Sequence, residues 1–167
     1  RLHESLRRSY WETVRALMRA IEAKDPQMLG HAERVTEYAL LIGQALKVPM
    51  EQLEDIRFAA TLHDIGMIAV EEQLQRASNP LAYREALMMN HPLVGMSILQ
   101  PAEFLRTALD GVRYHHEHWD GTGYPHGLKG EDIPLIARII AVANVYDALI
   151  SPMADINPLS QEKALIE

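Results

Sequence analysis

The stretch Tyr114–Gly127, reading Tyr-His-His-Glu-His-Trp-Asp-Gly-Thr-Gly-Tyr-Pro-His-Gly, constrains this chain more than any other. It holds four of the eight histidines within twelve residues and closes on a Gly-x-Gly-Tyr-Pro cluster. Neither a helix interior nor a central strand tolerates that cluster. The spacing therefore predicts a helix ending at His115-His116 that runs out into a long ordered loop. Imidazole is the commonest metal ligand. Taken singly, each histidine is better explained by a polar surface loop. The adjacent pair acquires chemical meaning only where ligands from elsewhere converge on it.

The remaining composition limits what such ligands can be. The chain has no cysteine, so any metal must be held by histidine and carboxylate. At 167 residues and 48% apolar content, it is long enough for one domain with a real core. No apolar run approaches the ~18 residues of a membrane span, and no secretory signal is visible. The chain opens on Arg1 rather than Met, which suggests a piece of a longer protein. A formal charge of −7 argues against a general nucleic-acid binder, so no DNA partner is expected. A phosphate ligand would need metal ions or local basic groups to offset that acidic field.

Apolar residues recur at helical spacing throughout, and strand alternation is nowhere sustained. Leu2, Leu6, Tyr10, Val14, Leu17 and Ile21 mark a first helix, which Asp25-Pro26 ends. Residues 1–24 are taken as a linker-like helix and 25–167 as the domain proper. A second helix, from about Leu29 to Leu46, places His31 one turn before Val35 on its inward face. A third, from about Glu51 to Asp64, ends on His63-Asp64, with Gly66 just beyond its C-cap. Val70 to Arg76 is a short helical or turn segment. Asn79-Pro80 starts a helix over Leu81–Asn90 that stops at His91-Pro92. Another, carrying Phe104, Leu105, Leu109 and Val112, delivers His115-His116. Pro134 opens a strongly apolar helix, Leu135–Ile150, on which Asn144 and Asp147 share a face. Ser160 caps a last short helix. The expected fold class is all-α, five or more helices around one core.

His31, His63, Asp64, His91, His115 and His116 thus lie at ends or inward faces of four helices. That suits a metal cluster built between facing helices. Five imidazoles and one carboxylate able to bridge approach what two ions need. Two metals ~3.5–4 Å apart are a standard arrangement for phosphate-ester hydrolysis.

From about Asp25 to Glu162 the chain resembles the HD-GYP domain, the branch of HD-superfamily metal phosphohydrolases associated with bacterial cyclic di-GMP hydrolysis. The resemblance rests on His31-Ala32-Glu33-Arg34-Val35, His63-Asp64-Ile65-Gly66, His91-Pro92 with Gly95, and the signature from His115 to Glu131. It implies an HD-type helical bundle holding one or two divalent ions (Fe, Mn, Zn or Ni) in its core. One ion would take His31, His63, bridging Asp64 and the position held here by Asn144. The other would take Asp64, His91, His115 and His116. Asp64 and His63 would carry the catalytic chemistry, in which metal-activated water attacks a phosphodiester. Gly123, Tyr124, Pro125, Asp147 and Arg138 are the expected substrate contacts. The resemblance further implies a cytoplasmic signalling protein, regulated through an upstream sensory or receiver domain joined by the first helix. Its other candidate partners are a protein docking on the Gly-Tyr-Pro loop and a second copy of the chain, forming a homodimer.

The departures from the family pattern carry equal weight. The usual His-Asp-x-Gly-Lys ends here in Met67. The usual Val-Ala-Asp carboxylate is Asn144, a weaker neutral ligand. Met153 and Ile156 stand where two basic side chains are expected near substrate. Gln27 stands where some members place a Glu for a third ion, which favours two ions or fewer. Two functions follow from different classes. One is a slow or impaired cyclic di-GMP phosphodiesterase. The other is a degenerate, non-catalytic domain that binds ligand or protein.

Overall fold

The computed structural model describes residues 2–24, 28–76, 80–152 and 157–166. Its α-helices are α1 (Leu2–Glu22), α2 (His31–Ala45), α3 (Met50–Leu62), α4 (Met67–Arg76), α5 (Pro80–Leu99), α6 (Leu109–Tyr114), α7 (Leu135–Ile150) and α8 (Gln161–Ala164). Short 3-10 turns, Glu103–Ala108 and Gly130–Asp132, precede α6 and α7. No strand occurs among the described residues, so the chain is all-α as its periodicity indicates.

The core forms where α2, α3 and α7 meet. Val35 and Ala39 from α2, Ala59 and Ala60 from α3, and Ile140 and Ala143 from α7 are fully buried. Alanines at these positions let helix axes approach closely, and the branched side chains fill what remains. The helix α7 has the bounds its apolar run indicated, and Ser160 accepts the Lys163 N–H as the α8 cap.

Two expectations need correction. The stripe assigned to α1 holds only in part. Val14 is buried and Ile21 packs against the core as expected, but Met18 completes the docked face, while Tyr10 and Leu17 are about half exposed. Trp11 follows this face, edge-on to Phe58 of α3. The second correction concerns Pro92, which lies inside α5 instead of ending it. A proline removes the N–H that would bond the carbonyl four residues back, here Met88. His91 Nδ1 donates to that carbonyl at 2.5 Å and takes up the orphaned acceptor.

The end of α1 also organises the start of α2. Gly30, with φ +76°, is the N-cap of α2 and offers no side-chain oxygen. Buried Glu22 supplies the cap from α1, accepting from Gly30 N at 2.9 Å and Ala32 N at 2.7 Å. A carboxylate satisfies these orphan donors and complements the helix dipole. On the solvent side, Arg15 and Arg19 both pair with Glu33 of α2. Together these contacts fix His31, the first residue of α2.

Candidate metal centre

Three histidines are oriented by one repeated device. Near a helix end, or beside a proline, carbonyls lack their intrahelical donor. His63 Nδ1 donates to Ala60 O at 2.7 Å, His91 Nδ1 to Met88 O, and His115 Nδ1 to Val112 O at 2.7 Å. Each bond spans three residues. Each commits the Nδ1 proton to the backbone and leaves Nε2 as a bare lone pair in the neutral ring.

Those lone pairs converge on Asp64. Its Oδ1 lies 3.1 Å from His91 Nε2 and 3.7 Å from His115 Nε2, and its Oδ2 lies 3.3 Å from His63 Nε2. His31 reaches the same Oδ2 at 3.8 Å. Ligand atoms of Asp64, His91, His115 and His116 lie within 4.8 Å of one another, as do those of His31, His63 and Asp64. Asp64 belongs to both groups.

The close approach requires Gly66. A Cβ there would lie 2.0 Å from His91 O and 2.7 Å from Gly95 N, because the turn after α3 crosses α5 backbone to backbone.

His31 is oriented differently. Its Nδ1 lies 2.8 Å from Asp147 Oδ2. Asp147 is 1% exposed and also accepts from Arg34 Nε at 2.7 Å and Arg34 Nη2 at 3.0 Å. Burial raises its pKa, but the bonds from His31 and Arg34 outweigh that and hold it at about 2. An ionised carboxylate only accepts, so His31 Nδ1 carries the proton and Nε2 faces Asp64.

The centre is electrostatically poised for a cation. Burial pushes the pKa of His115 down to about 4 and that of His116 to about 2, with neighbouring imidazoles adding to the shift. Asp64 is held well below the usual carboxylate range; burial opposes this, and His63, His115 and His91 overcome it. His63 moves the other way, since the adjacent Asp64 charge outweighs a burial effect that would lower it.

Two observations show that the residues fit a metal. His63 Nε2 is fully buried with no hydrogen-bond partner. His91 Nε2 and His115 Nε2 face each other at 3.2 Å with both Nδ1 protons committed elsewhere. Converging lone pairs on buried nitrogens need a cation between them. The donors are nitrogen and carboxylate oxygen without sulfur, which suits a divalent transition metal.

The centre opens into a cavity of about 410 Å³. Asn144, Met67, Met88 and Arg84 line it together with His31, Asp64, His91 and His116. Tyr124 stacks on His116 with ring centroids 4.7 Å apart. Gly123 permits this, since a Cβ there would lie 2.2 Å from His118 N and 2.4 Å from His116 O. Pro125 follows in the same loop. Asp147 lies behind His31 and away from the cavity lining, and Arg138 lies over the Trp119 ring at 5.8 Å. Gln27, Met153 and Ile156 lie outside the described residues.

Sequence reasoning missed Glu117, Arg34 and Arg84. Glu117 is 3% exposed and accepts from His126 N at 2.7 Å and Leu128 N at 2.9 Å, closing the loop on itself. Arg34 was findable, being three residues from His31 and so on its face. Arg84 had no such signal.

Residues 15–166 match the HD domain family. This chain belongs to that family. Its His-Asp pair and Gly-Tyr-Pro loop make it an HD-GYP domain. The HD-GYP chain is 42% identical over 144 residues to the cyclic di-GMP phosphodiesterase response regulator RpfG of Xanthomonas campestris, covering 84% of this chain and 38% of that protein. It is 32% identical over 161 residues to 3'3'-cGAMP-specific phosphodiesterase 2 of Vibrio cholerae, covering 95% and 31%. The HD-GYP domain therefore spans about a third of the length of these relatives. The crystal structure of the V. cholerae cyclic GMP-AMP phosphodiesterase V-cGAP3 superposes with a TM-score of 0.67 at 22% identity, over 83% of this chain and 40% of that one. That likeness establishes the shared fold. No described helix is long and apolar enough to cross a membrane.

Proposed function

We propose that this HD-GYP domain is a metal-dependent phosphodiesterase acting on a cyclic dinucleotide, cyclic di-GMP or its cGAMP relative, and that its turnover is slow. The observation that carries this reading is the convergence of the His63, His91 and His115 Nε2 atoms on Asp64 at the floor of an open cavity. The names of the relatives support the substrate class. When bound, one or two divalent ions (Fe, Mn, Zn or Ni) supply Lewis-acid charge at the phosphate and acidify water.

The chain's own groups do the rest. Asp64 joins the two ligand groups, with His63 a member of one of them. Asp147 and Arg34 hold His31 in the tautomer that ligates. Tyr124, seated by Gly123 and followed by Pro125, stacks its ring face on His116 and so shapes the wall for a nucleobase. Slow turnover follows from Asn144 and Met67, which place an amide and a thioether on a cavity wall where a carboxylate and an ammonium would assist.

The protein in this reading is cytoplasmic and works under an upstream sensory or receiver domain, with α1 as the connection. The Gly-Tyr-Pro loop and a second copy of the chain are its candidate protein contacts.

A second reading rests on the same Asn144 and Met67: a non-catalytic domain that binds ligand or protein. One experiment separates them. Protein loaded with Mn or Fe is assayed on cyclic di-GMP and 3'3'-cGAMP, with Asp64→Asn as control. Slow hydrolysis abolished by Asp64→Asn supports the enzyme. Bound metal with no turnover of either nucleotide supports the binding module.

A further inference from the structure

The metal-site cavity has one unused resource. Its charged lining is mostly acidic, with Glu22 and Asp64 on the wall of a domain that is itself at −7. Among the described residues that line it, Arg84 is the one permanently cationic side chain. The other nearby cation, Arg34 of α2, is bound to Asp147 through two nitrogens and to Leu29 O through its third. Arg84 pairs with no carboxylate among the described residues.

Its place on α5 sets what it can reach. Arg84, Met88 and His91 follow at four- and three-residue spacing, so they share one face, and all three line the cavity. Seven residues rise about 10 Å along the helix. Arg84 is exposed while His91 is buried, so the guanidinium stands at the rim and the imidazole at the floor. Helical side chains lean toward the helix N-terminus, which keeps Arg84 away from the ligand cluster.

We infer that Arg84 is a substrate-binding residue that holds the non-scissile phosphodiester of a cyclic dinucleotide while the other phosphate lies at the metal ligands. This rests on the phosphodiesterase reading and deepens it. Two phosphates enter an acidic cavity, and only one of them can lie at the floor. The second meets Met88 on the wall and a planar guanidinium at the rim. Arginine suits that task because its fork matches two phosphate oxygens and its charge is not lost by titration.

The test uses the whole chain. Equilibrium binding of cyclic di-GMP is measured by calorimetry at two salt concentrations, and kcat and KM are measured separately on Mn-loaded protein. Arg84→Met should weaken Kd and raise KM by about ten-fold or more, the worth of one charge-assisted hydrogen bond. It should leave kcat nearly unchanged and flatten the salt dependence. Arg84→Lys should recover part of the affinity. Met67→Lys placed on Arg84→Met should recover part of it too, because Met67 lines the same cavity. Arg84 is exposed, so its substitution should leave the melting temperature unchanged, which separates binding from folding. Wild-type binding matched by Arg84→Met would overturn this inference alone. A wild type that binds no cyclic dinucleotide would overturn the phosphodiesterase reading and this inference with it.

Discussion

The His31 Nδ1 and Asp147 Oδ2 atoms lie 2.8 Å apart, and this bond sets which nitrogen of His31 faces Asp64. Asp147 therefore acts through a ligand and not on the cavity wall. Asp147→Asn preserves shape but removes the charge that fixes the tautomer. Loss of such a partner typically weakens a metal site 10- to 100-fold. The His31–His63–Asp64 group should lose about that much affinity, while the Asp64–His91–His115–His116 group should keep its own. Metal titration against a competing chelator resolves the two. Equal weakening of both groups would show that Asp147 supports the fold and not His31.

Asn144 lines the cavity beside His31 and Asp64. Asn144→Asp should tighten metal at the His31–His63–Asp64 group by about ten-fold or more, because ligand charge count sets affinity. The sign in metal-free protein is opposite. A second carboxylate near Asp64 adds like-charge repulsion, so the chelator-treated variant should melt below wild type. The loaded variant should melt above it, since ligand binding to the folded state stabilises by mass action. Melting curves with and without Mn check both halves. A variant that melts lower under both conditions would place residue 144 outside the ligand group.

Gly66 makes a sharper structural prediction. Its substitution to Ala would drive a Cβ into His91 O and Gly95 N, both backbone atoms that cannot rotate away. The turn after α3 and the helix α5 would have to separate, parting Asp64 from His91. A cost of about 3 kcal/mol or more is expected, at the large end for single substitutions. Chemical denaturation measures it, and metal affinity should fall with stability. Wild-type stability in Gly66→Ala would mean that this crossing is looser than the backbone contact requires.

Much of this was legible because it lay in local pattern. The α7 bounds follow from Pro134 and a strongly apolar run, and six metal-ligand candidates followed from helix ends and inward faces. What was illegible depends on contacts distant in sequence. Proline is a sound helix stop unless something answers the carbonyl it orphans, and His91 does so for Pro92. Asp147 shares a helical face with Asn144, so spacing grouped them, yet His31 and Arg34 draw Asp147 behind the site. Arg84 stands seven residues before His91, and only an uninterrupted α5 brings it to the cavity.

The slow-turnover proposal is tested by restoring charge. Met67 is the first residue of α4, half-buried and on the cavity wall. Met67→Lys would set an ammonium near the scissile phosphate, where a charge-assisted bond is worth roughly 1.5–3 kcal/mol. Some of that is lost, because a cation in the first turn opposes the helix dipole by about 0.3–1 kcal/mol. The net gain corresponds to about ten-fold in kcat/KM at about 1.4 kcal/mol per decade. Asn144→Asp should add a separate gain by filling the weaker metal group. The two residues line one cavity, so their effects should not add cleanly. The double variant is expected to hydrolyse cyclic di-GMP faster than either single one, and each single variant faster than wild type. If wild type already turns over as fast as the double variant, neither missing group limits the reaction, and the domain is an ordinary phosphodiesterase with a different substrate clamp.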